Sequence, residues 1–106
     1  MRAANIQHMK VLYLTLLRKH YDAIVSGKKK TEYRVCKPFW NKRIKNNSWD
    51  LVLFSNGYGQ NTRSMLVEYL GQHIEFYEGQ RCYALELGKI VEQGSFGSLT
   101  RRLNKT

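Results

Sequence analysis

The chain has 106 residues, 42% hydrophobic and 12% aromatic, which suffices for one domain with a modest core and argues against disorder throughout. No apolar run approaches the roughly 20 residues of a membrane helix, and the first five residues lack the apolar segment of a secretory signal. The net charge is +10, and residues 1–45 hold twelve of the 18 basic residues and two of the eight acidic ones. Clustered cations gain affinity by releasing counterions from phosphates, so we expect a cytoplasmic protein with a nucleic-acid partner and no membrane contact.

The first half of the chain predicts a strand, a helix and a second strand. Residues 1–9 lack periodicity, and we expect them to form a flexible lead. Residues 11–17 are apolar on both faces, as in a strand buried on two sides. Apolar side chains at helical spacing predict a helix near residues 18–26, which Gly27 would end. Residues 28–36 then alternate in polarity, which is typical of a strand.

The second half predicts mostly strands. A proline-led segment over residues 38–46 favours a short helix, and residues 49–54 form a strong strand pattern closed by an Asn-Gly turn. Residues 65–70 alternate as a strand, residues 73–76 extend the sheet after a break at a glycine, and residues 82–91 form the last clear strand.

These elements predict one domain of mixed α+β class. Five or six short strands with one or two short helices suit a small closed or half-closed β-barrel, because closure removes exposed strand edges. We expect the barrel domain to span residues 10–92. From there the composition turns small, polar and basic, so residues 93–106 are predicted to form a basic flexible tail.

The most specific segment is GKKKTEYR, which begins at Gly27. Its residues Gly27, Lys29, Glu32 and Arg34 match the pattern G-x-K-x-x-E-x-R, and here the chain resembles the ASCH family, named for homology to an activating signal cointegrator. The later stretches WDLVLFSNGYG and YALELGKIVE are similar to that family too. The resemblance covers about residues 10–92 and implies a PUA-like β-barrel with an RNA-binding cleft at its mouth.

The residues of this motif also have a physical interpretation of their own. Glu32 and Arg34 lie two apart on one strand face and can form a structural ion pair, which is the commoner role for a carboxylate among bases. The planar fork of Arg34 suits phosphate or base edges. Lys29, placed in the turn and crowded by Lys28 and Lys30, is the best candidate for base or nucleophile chemistry, with Glu32 as its partner.

Aromatic and polar residues outside the motif complete the predicted site. Stacking on exposed aromatic side chains beside basic ones is a common way to hold single-stranded nucleic acid. Trp40 and Tyr58 are open candidates for this role, and Asn56 lies in a loop suited either to ligand contact or to an ordinary turn. Three other aromatic residues of the basic half are expected in the core, namely Tyr13, Tyr21 and Phe39. The candidate ligand-binding residues are Lys28, Lys29, Lys30, Arg34, Trp40, Arg43, Asn56, Tyr58 and Arg63.

Two function classes follow from these observations. The first is a module that binds RNA, single-stranded nucleic acid or a nucleotide-like molecule. The second is a small hydrolase, because ASCH-like proteins include an acetylcytidine amidohydrolase branch and reported ribonucleases. In the amidohydrolase branch a threonine stands at the position of Glu32, so this chain keeps Lys29 and lacks that threonine; Glu75 or Glu78 is available as a further carboxylate.

Other chemistry finds no support in the residue pattern. The two cysteines, Cys36 and Cys82, do not form a disulfide framework, and no histidine has metal-ligand spacing, so we expect no metal, no cofactor and no disulfide-linked partner. The small size and high charge also fit an accessory protein of a phage or mobile element that binds another protein.

Overall fold

The computed structural model describes residues 8–104 of the chain. Over this range the chain forms a mixed α+β fold, so the predicted α+β class and strand number are confirmed, whereas the structure has three helices and not the predicted one or two. Its strands are β1 (Val11–Thr15), β2 (Thr31–Val35), β3 (Leu51–Ser55), β4 (Arg63–Tyr77) and β5 (Gln80–Ser95). Its helices are α1 (Arg18–Val25), α2 (Pro38–Ile44) and α3 (Phe96–Leu103).

The strands form one mixed sheet in the order β1-β3-β4-β5-β2. β1 and β3 are parallel, and the other neighbouring pairs are antiparallel. Because β1 and β2 are the edges, the sheet is not closed into a barrel, and barrel closure stays a prediction. The edges nevertheless meet at one point, where Arg34 Nη2 on β2 donates a hydrogen bond of 3.1 Å to the carbonyl oxygen of Thr15 on β1. The sheet is therefore strongly curved.

The burial pattern of β1 corrects the expectation that both of its faces are buried. Leu12 and Leu14 are buried at 3% and 2% exposure, whereas Tyr13 between them is 45% exposed. Side chains alternate between the two faces of a strand, so one face of β1 packs on the core while Tyr13 faces solvent.

The first two helices begin where the local sequence predicts, and they end at Val25 and Ile44, one and two residues before the predicted ends. In α1 the buried residues are Tyr21 and Ile24, which lie on one face, and the chain leaves the helix through Gly27 at a φ of +82° that glycine adopts at little cost. In α2 Pro38 occupies the first turn and Ile44 is the buried anchor.

β4 and β5 form a hairpin that is longer than predicted. The break expected at Gly71 is a β-bulge inside a continuous strand, since β4 runs from Arg63 to Tyr77. β5 likewise begins before Cys82, at Gln80. The hairpin turn consists of Glu78 and Gly79 with φ values of +50° and +77°, the left-handed pair that a tight two-residue hairpin requires.

The sheet buries a hydrophobic cluster on each face. The larger cluster packs α1 and α2 against one face through Tyr21, Ile24 and Ile44. The smaller cluster packs Leu99 and Leu103 of α3 against the other face. Both helical layers thus hold the strands in place, and the candidate site described below lies on the side of α1 and α2.

The basic tail predicted from residue 93 onward is wrong over α3. Leu99 and Leu103, four residues apart, are buried at 1% and 9% exposure, so the segment is an amphipathic helix docked on the sheet. Ser95 caps it by accepting a hydrogen bond of 3.1 Å from the backbone N–H of Ser98. Polar and basic residues occupy only its outer face.

We expect Ser95→Ala to lower the free energy of unfolding by about 1 kcal/mol, because the cap satisfies a backbone donor that alanine leaves bare. Urea unfolding followed by circular dichroism measures this loss. Ser98→Ala is the control, since alanine at that helical position keeps the cap and does not lower helix propensity. Equal midpoints for wild type and Ser95→Ala would contradict a docked, capped α3.

The flexible lead predicted for residues 1–9 lies almost wholly outside the described residues. Its last member, Met9, packs against the smaller cluster. None of the helices found between residues 8 and 104 has both the length and the apolar character needed to cross a bilayer.

Candidate functional site

The motif residues lie where α1 turns into β2. The positive φ of Gly27 reverses the chain, and the backbone N–H of Lys29 donates a 3.0 Å hydrogen bond to the carbonyl oxygen of Ala23. Lys29 therefore lies in the turn before β2, so the alternation of side chains along that strand does not fix the direction of its side chain.

Lys29, Glu32 and Arg34 form one ion cluster around a buried carboxylate. Glu32 is only 5% exposed. Its Oε2 accepts a hydrogen bond of 2.9 Å from Arg34 Nε and lies 2.8 Å from Arg34 Nη2. Its Oε1 lies 2.7 Å from the Lys29 ammonium, in an ion pair whose angles fall short of a full hydrogen bond. One buried negative charge thus meets two cations.

His20 is a fourth member of this cluster that the sequence analysis did not select. Its Nδ1 lies 3.3 Å from Lys29 Nζ. The sequence does indicate that His20 faces the interior, because it precedes the buried Ile24 by four residues and so shares its helix face. Lys29 consequently faces an imidazole and a carboxylate, whereas Lys28 and Lys30 are exposed and do not crowd it.

Arg34 connects the ion cluster to a wide cleft. Besides Glu32 it bonds the Thr15 carbonyl on the opposite edge strand, and its guanidinium lies 4.9 Å from the centre of the Trp40 ring. Arg34 is therefore both a structural tie between β1 and β2 and a wall of the space beside Trp40.

That space, here named the aromatic cleft, has a volume of about 580 Å³. It opens between the end of β1, the start of α1, the start of α2 and the loop around Tyr58. Of the described residues that line it, none is acidic, and two are arginines, Arg18 and Arg34. Its aromatic lining consists of Tyr13, Phe39, Trp40 and Tyr58.

Two of these aromatic residues were predicted to be core and are not. Tyr13 is 45% exposed and Phe39 is 50% exposed, while Tyr58 is 88% exposed. Tyr21, the third residue predicted to be core, is buried. Partial burial raises the pKa of Tyr13, so its phenol stays neutral beside the cleft.

Asn56 lines the aromatic cleft but also has a structural role. Its side-chain nitrogen donates a 3.1 Å hydrogen bond to the carbonyl oxygen of Leu16, and its oxygen accepts one of 3.4 Å from Arg63 Nε. Arg63 also pairs with Asp22 and lies 4.4 Å from the centre of the Tyr21 ring. Arg63 thus fastens the loop to α1 and does not line the cleft.

Arg43 supports the cleft from behind one of its walls. Its guanidinium lies 3.6 Å from the centre of the Phe39 ring and donates a 2.9 Å hydrogen bond to the Phe39 carbonyl. Five of the predicted binding residues lie outside the lining of the aromatic cleft, namely Lys28, Lys29, Lys30, Arg43 and Arg63.

Lys29 and Glu32 open onto a different space, here named the motif cavity, of about 330 Å³. His20 and Glu78 line it with them. The structure therefore divides the predicted site, with Arg34 on the aromatic cleft and Lys29 on the motif cavity. The buried pair of Glu32 and Arg34 lies between the two spaces.

Glu75, the other carboxylate considered for catalysis, belongs to a separate network on the outer face of the sheet. It lies 3.0 Å from His73 Nε2 and accepts a 3.1 Å hydrogen bond from the Tyr33 hydroxyl. The hydrogen bonds from His73 and then Tyr33 lower the pKa of Glu75, and burial with the same bond raises the pKa of Tyr33. Glu75 is thus an acceptor in this network and does not face Lys29.

Comparison of the chain with models of protein families, with curated proteins and with solved structures finds no match. Within residues 8–104 no three histidine, cysteine or acidic side chains converge in a way that could hold a metal ion. Functional inference for this chain therefore rests on its own residues and geometry.

Proposed function

We propose that this protein binds single-stranded RNA or a nucleotide in the aromatic cleft. The observation that carries the proposal is the lining: four partly exposed aromatic side chains and two arginines, with no acidic residue among the described ones. Aromatic faces stack with any base, and arginines neutralise phosphates, so this combination suits a single strand.

Each part of the lining has a distinct task in this proposal. Trp40 and Tyr58 offer ring faces for bases, and Arg18 is exposed at the mouth. Arg34 uses Nε and Nη2 for Glu32 and Thr15, and its Nη1 makes no hydrogen bond within residues 8–104. That Nη1 group is held rigidly and can donate to a phosphate or a base edge.

The proposed function includes the finer fold and family assignment. A cytoplasmic ASCH-type protein with a PUA-like half-closed barrel is supported by the G-x-K-x-x-E-x-R motif and by the contact between the two edge strands through Arg34. In such a barrel the aromatic cleft lies at the mouth, bordered by the end of β1 and the start of α2.

Fluorescence anisotropy with a labelled single-stranded RNA of about eight nucleotides tests the proposal. We expect binding at low salt that weakens steeply as salt rises, because phosphate contacts release counterions. Absence of binding at low salt, or binding that does not respond to salt, would sink the proposal.

A second candidate function is hydrolysis of a modified nucleoside or of RNA in the motif cavity. The observation that favours it is the chain of contacts from His20 through Lys29 to the buried Glu32, with Glu78 in the same cavity. A lysine held between an imidazole and a carboxylate can exchange protons with a bound substrate.

For this second function we expect Lys29→Ala to abolish turnover of acetylcytidine or RNA, since the alanine variant lacks the reacting amine. Chromatographic detection of cytidine or of RNA fragments measures turnover, with Lys28→Ala as the matched control because Lys28 is exposed beside the same turn. Equal turnover by wild type and Lys29→Ala would contradict this second function, because the reaction would not depend on the Lys29 amine.

A further inference from the structure

A third cavity lies between α2 and the outer half of the β4–β5 hairpin. Its volume is about 470 Å³, and we name it the basic cavity after Lys45 and Arg81 in its lining. None of its described lining residues is acidic. Neither Lys45 nor Arg81 forms an ion pair with a carboxylate among the described residues, so both charges are available to a ligand.

The walls of the basic cavity are joined by hydrogen bonds between α2 and the hairpin. The Tyr83 hydroxyl on β5 donates a 2.5 Å bond to Asn41 Oδ1 on α2. Gln72 Nε2 on β4 donates a 2.7 Å bond to the carbonyl oxygen of Ile44 at the end of α2. The cavity is therefore built by tertiary contacts and does not need a ligand to bring its walls together.

α2 is the partition between the basic cavity and the aromatic cleft. Its first turn places Phe39 and Trp40 on the aromatic cleft. Asn41 in the helix and Lys45 directly after its end line the basic cavity. No acidic residue occurs between Lys37 and Trp49, so the whole segment that carries the helix is basic or neutral. A polyanion that extends from the aromatic cleft to the basic cavity therefore meets no negative charge on this segment.

We propose that a single RNA strand crosses α2, with bases stacked in the aromatic cleft and the following phosphates held by Lys45 and Arg81 in the basic cavity. This inference rests on the proposed RNA-binding function and narrows its ligand to an oligonucleotide. The helix is about 10 Å across and a stacked strand advances about 3.4 Å per nucleotide, so about three nucleotides span it. A mononucleotide cannot occupy both spaces.

The test measures anisotropy for two labelled RNAs, of about three and about eight nucleotides, at salt between about 50 and 200 mM. It compares wild type with the double variant Lys45→Ala/Arg81→Ala. The control is Lys10→Ala/Lys89→Ala, which removes the same charge from two exposed residues outside both linings. Circular dichroism melts confirm that all three proteins are folded.

We expect the affinity of the double variant for the longer RNA to depend less on salt than that of wild type, with no such change for the shorter RNA. Each lost phosphate contact lowers the log–log salt slope by about 0.7 for single strands. Losing the two contacts of Lys45 and Arg81 therefore lowers the ratio of the affinities at about 50 and 200 mM salt about sevenfold. The shorter RNA should bind the double variant and wild type alike, and the control variant should match wild type for both RNAs.

Three results would overturn the inference. If wild type binds the longer RNA and the double variant binds it with the same salt slope, the strand does not reach the basic cavity, although the proposed function stands. If the control variant loses as much slope as the double variant, the effect is one of net charge. If wild type binds neither RNA, the proposed function itself fails.

Discussion

Glu32→Gln is expected to lower the free energy of unfolding by about 3–5 kcal/mol, because it removes the one negative charge between two largely buried cations. The side chains of Lys29 and Arg34 keep 21% and 16% of their exposure, and both are held by Glu32 at 2.7–2.8 Å. Glutamine preserves the shape and can still accept a hydrogen bond from Arg34, so the loss reports the missing charge.

Urea unfolding of wild type and variant measures this effect. Glu78→Gln is the matched control, since Glu78 is exposed in the hairpin turn and loses the same charge without a buried partner. A loss of less than about 1 kcal/mol for Glu32→Gln would show that the cluster is screened like a surface ion pair. The cluster would then contribute little to the stability of the fold.

The contacts of Arg34 limit what an alanine variant at this position can show about ligand binding. Arg34 joins β2 to the Thr15 carbonyl on β1 and also holds Glu32, so Arg34→Ala removes a structural tie together with any ligand contact. A binding defect in Arg34→Ala would therefore not separate recognition from stability. Residues at the rim of the aromatic cleft give the cleaner test.

Trp40→Ala/Tyr58→Ala is expected to weaken binding of single-stranded RNA by at least about 30-fold. Stacking on an aromatic side chain contributes about 1–3 kcal/mol per base, and two rings supply at least about 2 kcal/mol. Tyr58 is 88% exposed, so Tyr58→Ala alone leaves the fold intact and should still cost at least about fivefold. Trp40 packs partly against the larger hydrophobic cluster, so its variant also needs a melting control.

Phe76→Ala is the matched control for these aromatic variants. Phe76 is 74% exposed near the hairpin tip and lines neither the aromatic cleft nor the basic cavity. Anisotropy titrations of the four proteins with the same RNA decide the matter. If Phe76→Ala weakens binding as much as Tyr58→Ala does, the protein binds RNA through exposed apolar surface in general, and the cleft is not the site.

Much of the local structure follows from the sequence alone. The spacing of Tyr21 and Ile24 predicts α1, the glycine at position 27 predicts its end, and the period-two pattern places Glu32 and Arg34 on one face of β2. These features depend on neighbours within a few residues, which the sequence displays directly. The same reasoning predicts that Lys29 lies in the turn.

Tertiary packing decided what each of those faces meets. Tyr13 and Phe39 are aromatic residues within apolar segments, which favours a place in the core. In the structure both rings are partly exposed and line the aromatic cleft, because β1 is an edge strand and α2 packs on the sheet through its other face. The predicted tail docks as α3 because the sheet leaves an apolar face for Leu99. Local periodicity shows that a face is apolar but does not show which element covers it.

Tertiary packing also divides the predicted site residues between separate spaces. His20 lies beside Lys29 because the chain reverses at Gly27, between α1 and β2. Lys45 and Arg81 line one cavity because the hairpin packs against α2. Their separation along the chain hides both pairs from pattern analysis. The turn at Gly27 and the shared face of Glu32 and Arg34 follow from residues close together in the chain. Arg34 and Lys29 line separate spaces because strand pairing and helix docking join residues far apart in the chain.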